Sequence, residues 1–282
     1  MTDPAAALPP IATLDELREL VDLDRVVWCD VRWYLDGRDA RAAYDGGHLP
    51  GAVFVDMDTV LAAPPTPEQG RHPLPSPTTF AAELGALGIA DDDLVVAYDD
   101  NGGLQAGRMV WMLRAIGRRA VVLDGGIQSW PGELTTDVPE RAAVERTSVD
   151  WPAELLVDID EVAARSEAGD TVILDARAAA RYRGEMEPVD PKAGHIPGAK
   201  VRPVTDNVVD GAFKSAEQLR ADFGALGVDE NTPVIAYCGS GVTACHNILA
   251  IERAGLGTAR LFPGSWSQWS NDDARPVATG DD

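Results

Sequence analysis

Basic residues are scarce in this chain. Its 282 residues include 24 Lys and Arg against 46 Asp and Glu, a formal net charge of −22, so the surface field repels phosphate backbones and anionic lipid. Nucleic acid is not an expected partner. An anion can bind only where arginines or main-chain N–H groups reverse that field locally. Cysteine is sparse too. Cys29, Cys238 and Cys245 are an odd number in a long chain, which excludes a disulfide scaffold and fits a reducing compartment. No zinc-type Cys/His spacing or cofactor motif occurs, so neither metal nor cofactor is expected. No apolar run approaches membrane-spanning length, and Met1–Pro10 has neither a basic nor an apolar leader region. A cytoplasmic protein with no membrane partner is therefore expected. Long polar tracts are missing as well, and with 45% hydrophobic residues the chain has material for two folded domains.

The chain repeats itself. Val27-Trp28-Cys29-Asp30-Val31-Arg32 followed by Gly47-His48-Leu49-Pro50-Gly51-Ala52 returns as Ile173-Leu174-Asp175-Ala176-Arg177 followed by Gly194-His195-Ile196-Pro197-Gly198-Ala199. Val95-Val96-Ala97-Tyr98-Asp99 answers to Val234-Ile235-Ala236-Tyr237-Cys238. Two tandem domains follow. Short β-branched runs (Val26–Cys29, Leu94–Tyr98, Ala120–Leu123) alternate with stretches at helical spacing (Phe80–Leu87, Arg108–Ile116), a βαβ pattern that predicts mostly parallel sheets covered by helices on both faces. The fold class is α/β, with one domain over 1–135, a Glu/Thr/Pro-rich linker over 136–153 and a second domain over 154–282. In such sheets, sites lie beyond the carboxyl ends of strands. Cys238 occupies one of these ends.

After the strand Pro233–Tyr237 comes Cys238-Gly239-Ser240-Gly241-Val242-Thr243, then a helix through Ile248, Leu249 and Ile251. Gly239 and Gly241 let the backbone curl so that successive N–H groups point inward at a helix N-terminus. Such a cradle favours a thiolate and holds the negative charge that builds during transfer of an anionic group. The plainer reading, a buried structural cysteine, fits Cys29 inside its strand and Cys245 inside its helix. It fits Cys238 poorly, since the turn is built to present a side chain. In the first copy Asp99 stands where Cys238 stands in the second, so that copy lacks the nucleophile.

Together these segments resemble the tandem-domain rhodanese family along nearly the whole chain. The matching stretches are Trp33-Tyr34-Leu35, the two Gly-His-x-Pro-Gly-Ala turns, Asp175-x-Arg177 with Arg181-Tyr182-Arg183-Gly184, the Cys238 loop and Gly264-Ser265-Trp266. The resemblance implies a sulfurtransferase whose C-terminal domain carries a Cys238 persulfide and whose N-terminal domain is catalytically silent. Cys-Gly-Ser-Gly-Val-Thr is similar to the 3-mercaptopyruvate branch, whereas thiosulfate-preferring members carry basic residues after the cysteine. By resemblance, Ser240, His48 and Asp39 assist proton movement, Gly239, Gly241, Val242 and Thr243 line the substrate loop, and Arg181 binds the donor's carboxylate. A second arginine usual in that branch is missing, with Lys192 and Arg183 as candidate replacements. Asp30 and Arg32, repeated as Asp175 and Arg177, read as fold-holding pairs. His195 reads as a loop tie, and Trp266 and Trp269 read as core.

The expected reaction is ping-pong sulfur transfer from 3-mercaptopyruvate to a thiol or cyanide, with thioredoxin a plausible protein acceptor. Thiosulfate is the alternative donor. Two more distant readings stand beside these. One is a persulfide carrier module. The other is a cysteine-dependent phosphatase, which the short loop ending in Thr243 rather than arginine opposes.

Overall fold

The computed structural model describes residues 8–281, so the leader reading of Met1–Pro10 falls mostly outside the described residues. The chain forms two compact units. The first contains the chain up to Ala63, Pro75–Trp151 and Asp210–Phe213; the second contains Pro64–Leu74, Pro152–Val209 and the chain from Lys214 onward.

The first unit is a five-stranded parallel sheet with the order β1-β5-β4-β2-β3, in which β1 is Ile11–Ala12, β2 Val26–Asp30, β3 Val53–Phe54, β4 Leu94–Tyr98 and β5 Ala120–Leu123. Alternate residues of a strand face opposite sides of its sheet, and every residue of β4 and β5 is buried. Both faces are therefore covered, as a parallel sheet requires. The covering helices are α1 (Leu14–Leu20), α2 (Ala40–Asp45), α3 (Pro77–Ala86) and α4 (Ala106–Ala115). A Thr13/Glu16 capping box starts α1, and Ser76 with Pro77 starts α3.

In the second unit α5 (Ile159–Ala168), β6 (Val172–Asp175), α6 (Ala179–Tyr182), β7 (Lys200–Val201) and β8 (Val208–Val209) precede the first-unit strand β9 (Ala212–Phe213). After it come α7 (Ala216–Ala225), β10 (Val234–Tyr237), α8 (Ala244–Arg253), β11 (Arg260–Leu261) and α9 (Ser265–Trp269). Its sheet is parallel, in the order β11-β10-β6-β7. Trp266 and Trp269 lie in its core with Tyr182, Ile196, Tyr237 and Phe262.

The repeated motifs explain each other. Arg32 grips Asp30 through Nε at 3.0 Å and Nη2 at 2.6 Å and donates to the Gly47 carbonyl at 2.8 Å. Arg177 repeats the arrangement with Asp175 and the Gly194 carbonyl, both at 2.6 Å. Each pair ties the end of its strand, β2 or β6, to a Gly-His turn, a fold-holding role.

The domain limits differ from those read in the sequence. Residues 136–151 are fastened to the first unit, where Val144 N donates to Gly85 O at 2.9 Å, Arg141 reaches Gly88 O at 2.8 Å and Arg146 reaches Ala90 O at 2.7 Å. Trp151 packs on Phe80 and donates to Pro75 O at 2.8 Å. Arginine-to-carbonyl bonds need no apolar periodicity, so the stretch reads as a linker. Conversely, Pro64–Leu74 leaves the first repeat to join the second unit. Among the described residues, no helix is long and apolar enough to cross a membrane.

Candidate active site

Parallel strand β10 ends at Tyr237, and Cys238 follows at once, 2% exposed. Its main chain is bolted to the start of α9: Cys238 N donates to Ser265 Oγ at 3.1 Å, Trp266 N to Cys238 O at 2.9 Å and Ser267 N to Gly239 O at 2.9 Å. Gly241 turns the loop at φ +80°, and a Cβ there would sit 2.4 Å from the Pro263 carbonyl oxygen, so only glycine fits. This turn aims the Gly241 N–H at Cys238 Sγ, 3.1 Å away. The N–H groups of Ser240, Val242 and Thr243 donate to no acceptor among the described residues. They are available to an anion held above the loop.

The first unit shows what this backbone does with an anion. Asp99, fully buried at the end of β4, accepts from Asn101 N and Gly103 N on one carboxylate oxygen (2.9 and 2.8 Å) and from Gln105 N and Ala106 N on the other (2.8 and 2.9 Å). Burial raises this carboxyl above its ordinary value, and the four N–H donors oppose the rise. The silent copy thus keeps the nest and fills it with its own side chain.

The structure supplies a different histidine from the one expected. His72 Nδ1 lies 2.7 Å from Ser240 Oγ, and both groups are buried. His48 instead spends Nδ1 on Tyr44 O (2.9 Å) and Nε2 on Asp137 O (3.2 Å), and stacks on the Tyr44 ring with centroids 3.8 Å apart. His195 does the same with Tyr182, at 2.8 Å and 3.6 Å. Asp39 is exposed and caps α2 through the Ala42 N–H. His48 and Asp39 are therefore corrected to structural roles, and His72 takes the place beside Ser240. The sequence carried only half a signal for it: of four histidines, His48 and His195 are repeat equivalents, while His72 and His246 both lack a counterpart in the other copy.

Arg181 does reach the loop: a Cβ on Gly239 would meet its Nη1 at 3.5 Å. Arg71, which the sequence reading missed, comes closer, with Nη2 at 2.9 Å from the same point. The proposed replacements for the missing arginine are engaged elsewhere. Lys192 binds Asp272 O at 2.9 Å and pairs with Asp273, and Arg183 pairs with Glu185 at 2.6 Å. Burial pushes the Cys29 thiol far up, and Cys245 donates to Gly241 O from inside α8. Neither cysteine is presented as Cys238 is.

A lone cysteine set in an N–H cradle at a strand's carboxyl end, next to a Ser-His pair, defines a site for covalent transfer of an anionic group. The rhodanese-like domain family matches residues 13–133 and 158–272, and the chain belongs to that family. It is 45% identical over 248 residues to a probable 3-mercaptopyruvate sulfurtransferase of Pseudomonas aeruginosa, covering 84% of this chain and 86% of that protein. A putative thiosulfate sulfurtransferase, SseB, of Mycobacterium tuberculosis is 40% identical over 276 residues, covering 96% and 97%. The crystal structure of the Escherichia coli 3-mercaptopyruvate enzyme SseA superposes with a TM-score of 0.79 at 32% identity, covering 92% of this chain and 99% of that one. The chain is an enzyme, a sulfurtransferase of two rhodanese domains.

Proposed function

We propose that the donor is 3-mercaptopyruvate and that the sulfur travels as a Cys238 persulfide. The carrying observation is the Ser240–His72 hydrogen bond beside the cysteine. When the Cys238 thiolate attacks the donor's sulfur, an S–S bond forms, the donor's C–S bond breaks, and its electron pair leaves on carbon as the enolate of pyruvate. That carbon must gain the proton that began on the donor's sulfur, so the products are pyruvate and an anionic persulfide. A hydroxyl–imidazole pair suits this proton movement. Thiosulfate would leave as sulfite and needs no proton moved. The N–H groups of the loop then stabilise the persulfide until an acceptor removes its outer sulfur. The acceptor is a small thiol, cyanide or a dithiol protein such as thioredoxin, in a cytoplasmic setting that matches three free cysteines.

The thiosulfate reading is the second one, favoured by the name of the Mycobacterium relative. Sulfur transfer to cyanide, measured side by side from the two donors, tests the choice. A kcat/KM higher for 3-mercaptopyruvate, with His72→Gln lowering it for that donor more than for thiosulfate, supports the proposal. A preference for thiosulfate overturns it.

A further inference from the structure

α8 begins directly behind the reactive loop, and the first N–H groups of a helix have no partner within it. Elsewhere in the chain a side chain takes one of them: Thr13 caps α1, Ser76 α3, Asp158 α5 and Ser215 α7. No side chain caps α8, which starts after Thr243. A cap there would compete with an anion for the same donors, so the reactive copy needs this helix start bare. The silent copy solves the problem with its own anion. Asp99 binds Gln105 N and Ala106 N and so ties the end of β4 to the start of α4. Cys238 makes no such tie, because its Sγ takes the Gly241 N–H inside the loop.

A buried polar network holds α8 from its flank instead. His246 and Asn247 are the third and fourth residues of α8 and are fully buried, as is Asn207 at the end of the 3-10 turn Val204–Asn207. Asn207 Oδ1 accepts from Arg202 Nε at 3.0 Å and Nη2 at 2.8 Å. An arginine only donates, so the amide oxygen must face it and the NH2 group must face α8. That group donates to Asn247 Oδ1 at 2.6 Å and to His246 Nδ1 at 3.2 Å, while Asn247 Nδ2 donates to Arg202 O at 2.9 Å. Arg202 is anchored in turn, its main-chain N–H on Asp175 O at 2.8 Å and its Nη2 on Asp222 at 3.1 Å. A buried amide with every donor and acceptor used fixes one arrangement, where apolar side chains would permit several. The silent copy has Arg108 and Met109 at the matching places of α4 and no such amide pair.

We infer that Asn207, acting through His246 and Asn247, is a positioning residue for sulfur transfer: it fixes the first turn of α8 in place of a cap and so aims the N–H groups of Ser240, Val242 and Thr243 at the sulfur on Cys238. The link to the loop is short. His246 N donates to Thr243 O and Cys245 N to Val242 O, both at 3.2 Å, and Cys245 Sγ donates to Gly241 O at 3.4 Å. A shift of the first turn therefore shifts the loop. The inference rests on the Cys238 persulfide reading and is independent of which donor supplies the sulfur.

The test compares wild type with Asn207→Ala, His246→Leu and His246→Asn, and with Val162→Ala in α5 as a control. Single-turnover persulfide formation is followed with 3-mercaptopyruvate and with thiosulfate, and the lifetime of the persulfide without acceptor is read by intact mass. For Asn207→Ala and His246→Leu the limiting rate constant should fall about tenfold with either donor and the persulfide lifetime about fivefold, a fraction of the effect of deleting one oxyanion donor outright. The half-saturating donor concentration stays within about twofold, because the ground-state donor is bound elsewhere. His246→Asn, whose amide oxygen can accept in place of Nδ1, stays within about threefold of wild type. Val162→Ala loses packing in α5 and keeps the wild-type rate and lifetime. Thermal unfolding identifies a variant that fails to fold; His246→Leu, which leaves the bonds among Arg202, Asn207 and Asn247 in place, then carries the comparison. Wild-type rate and lifetime in a folded Asn207→Ala or His246→Leu overturn the inference, as does an equal loss in Val162→Ala or a His246→Asn no better than His246→Leu. A wild type that loads no sulfur on Cys238 overturns the persulfide reading first, and the positioning role with it.

Discussion

Asp99→Ala removes the anion that fills the silent nest, and the structure gives the size of the effect. Three buried N–H groups, those of Gly103, Gln105 and Ala106, lose their acceptor at once, together with the more exposed N–H of Asn101. A buried donor left unpaired costs ~1–3 kcal/mol, so three give ~3–9 kcal/mol as an upper range. Two effects reduce this. The wild type must desolvate a buried carboxylate, which costs several kcal/mol, and a water entering the vacated space restores part of the bonding. The net expectation is a loss of ~3–5 kcal/mol, the usual scale for breaking a buried charged network, against a domain stability of ~5–15 kcal/mol. Urea unfolding followed by tryptophan fluorescence reads it, because Trp28, Trp33, Trp111, Trp130 and Trp151 all lie in the first unit. The midpoint should fall with little change in slope. Asp99→Asn keeps one accepting oxygen and should fall in between. An alanine variant within ~0.5 kcal/mol of wild type would refute the view that Asp99 holds this loop.

Two further outcomes follow from geometry. Gly241→Ala should lose ~1–3 kcal/mol of stability through its left-handed backbone and should also depress kcat, since the new Cβ meets the Pro263 carbonyl and pushes the loop carrying the Gly241 N–H off Cys238 Sγ; unchanged unfolding and kcat would count against the loop geometry. Glu161, hydrogen-bonded to Arg260 at 2.9 Å, is held below its ordinary value chiefly by that bond. Its folded value lies below its unfolded one, so its contribution is present above the ordinary carboxylate range and is lost as pH falls through the folded value. Glu161→Gln should be less stable than wild type at neutral pH, with the difference closing in acid; a difference that widened in acid would reverse the assignment.

The parts of this enzyme that were legible in the sequence are those encoded locally or twice. The β-branched runs that became β2, β4 and β5 needed only their own composition, and the paired Asp-x-Arg and Gly-His turns announced their structural role by recurring. Cys238 was legible because a glycine-rich turn between a strand and a helix is itself a local pattern. The other side chains at the site were not. His72 and Ser240 are 168 residues apart, and the strap carrying His72 and Arg71 has no helical or strand periodicity to betray where it packs. His48 sits in a motif whose duplication at His195 argues for a structural tie. Residues 136–151 read as a linker for the same reason, because arginine-to-carbonyl anchors leave no hydrophobic pattern.

Whether Cys238 carries the sulfur can be read from a single turnover. Wild type and Cys238→Ser are each mixed with one equivalent of 3-mercaptopyruvate without acceptor, and intact mass and pyruvate are read together. Wild type should gain the mass of one sulfur atom, located at Cys238, and release one pyruvate per chain, while Cys238→Ser should do neither. Pyruvate release by Cys238→Ser, or sulfur found on Cys29 or Cys245 instead, would contradict it.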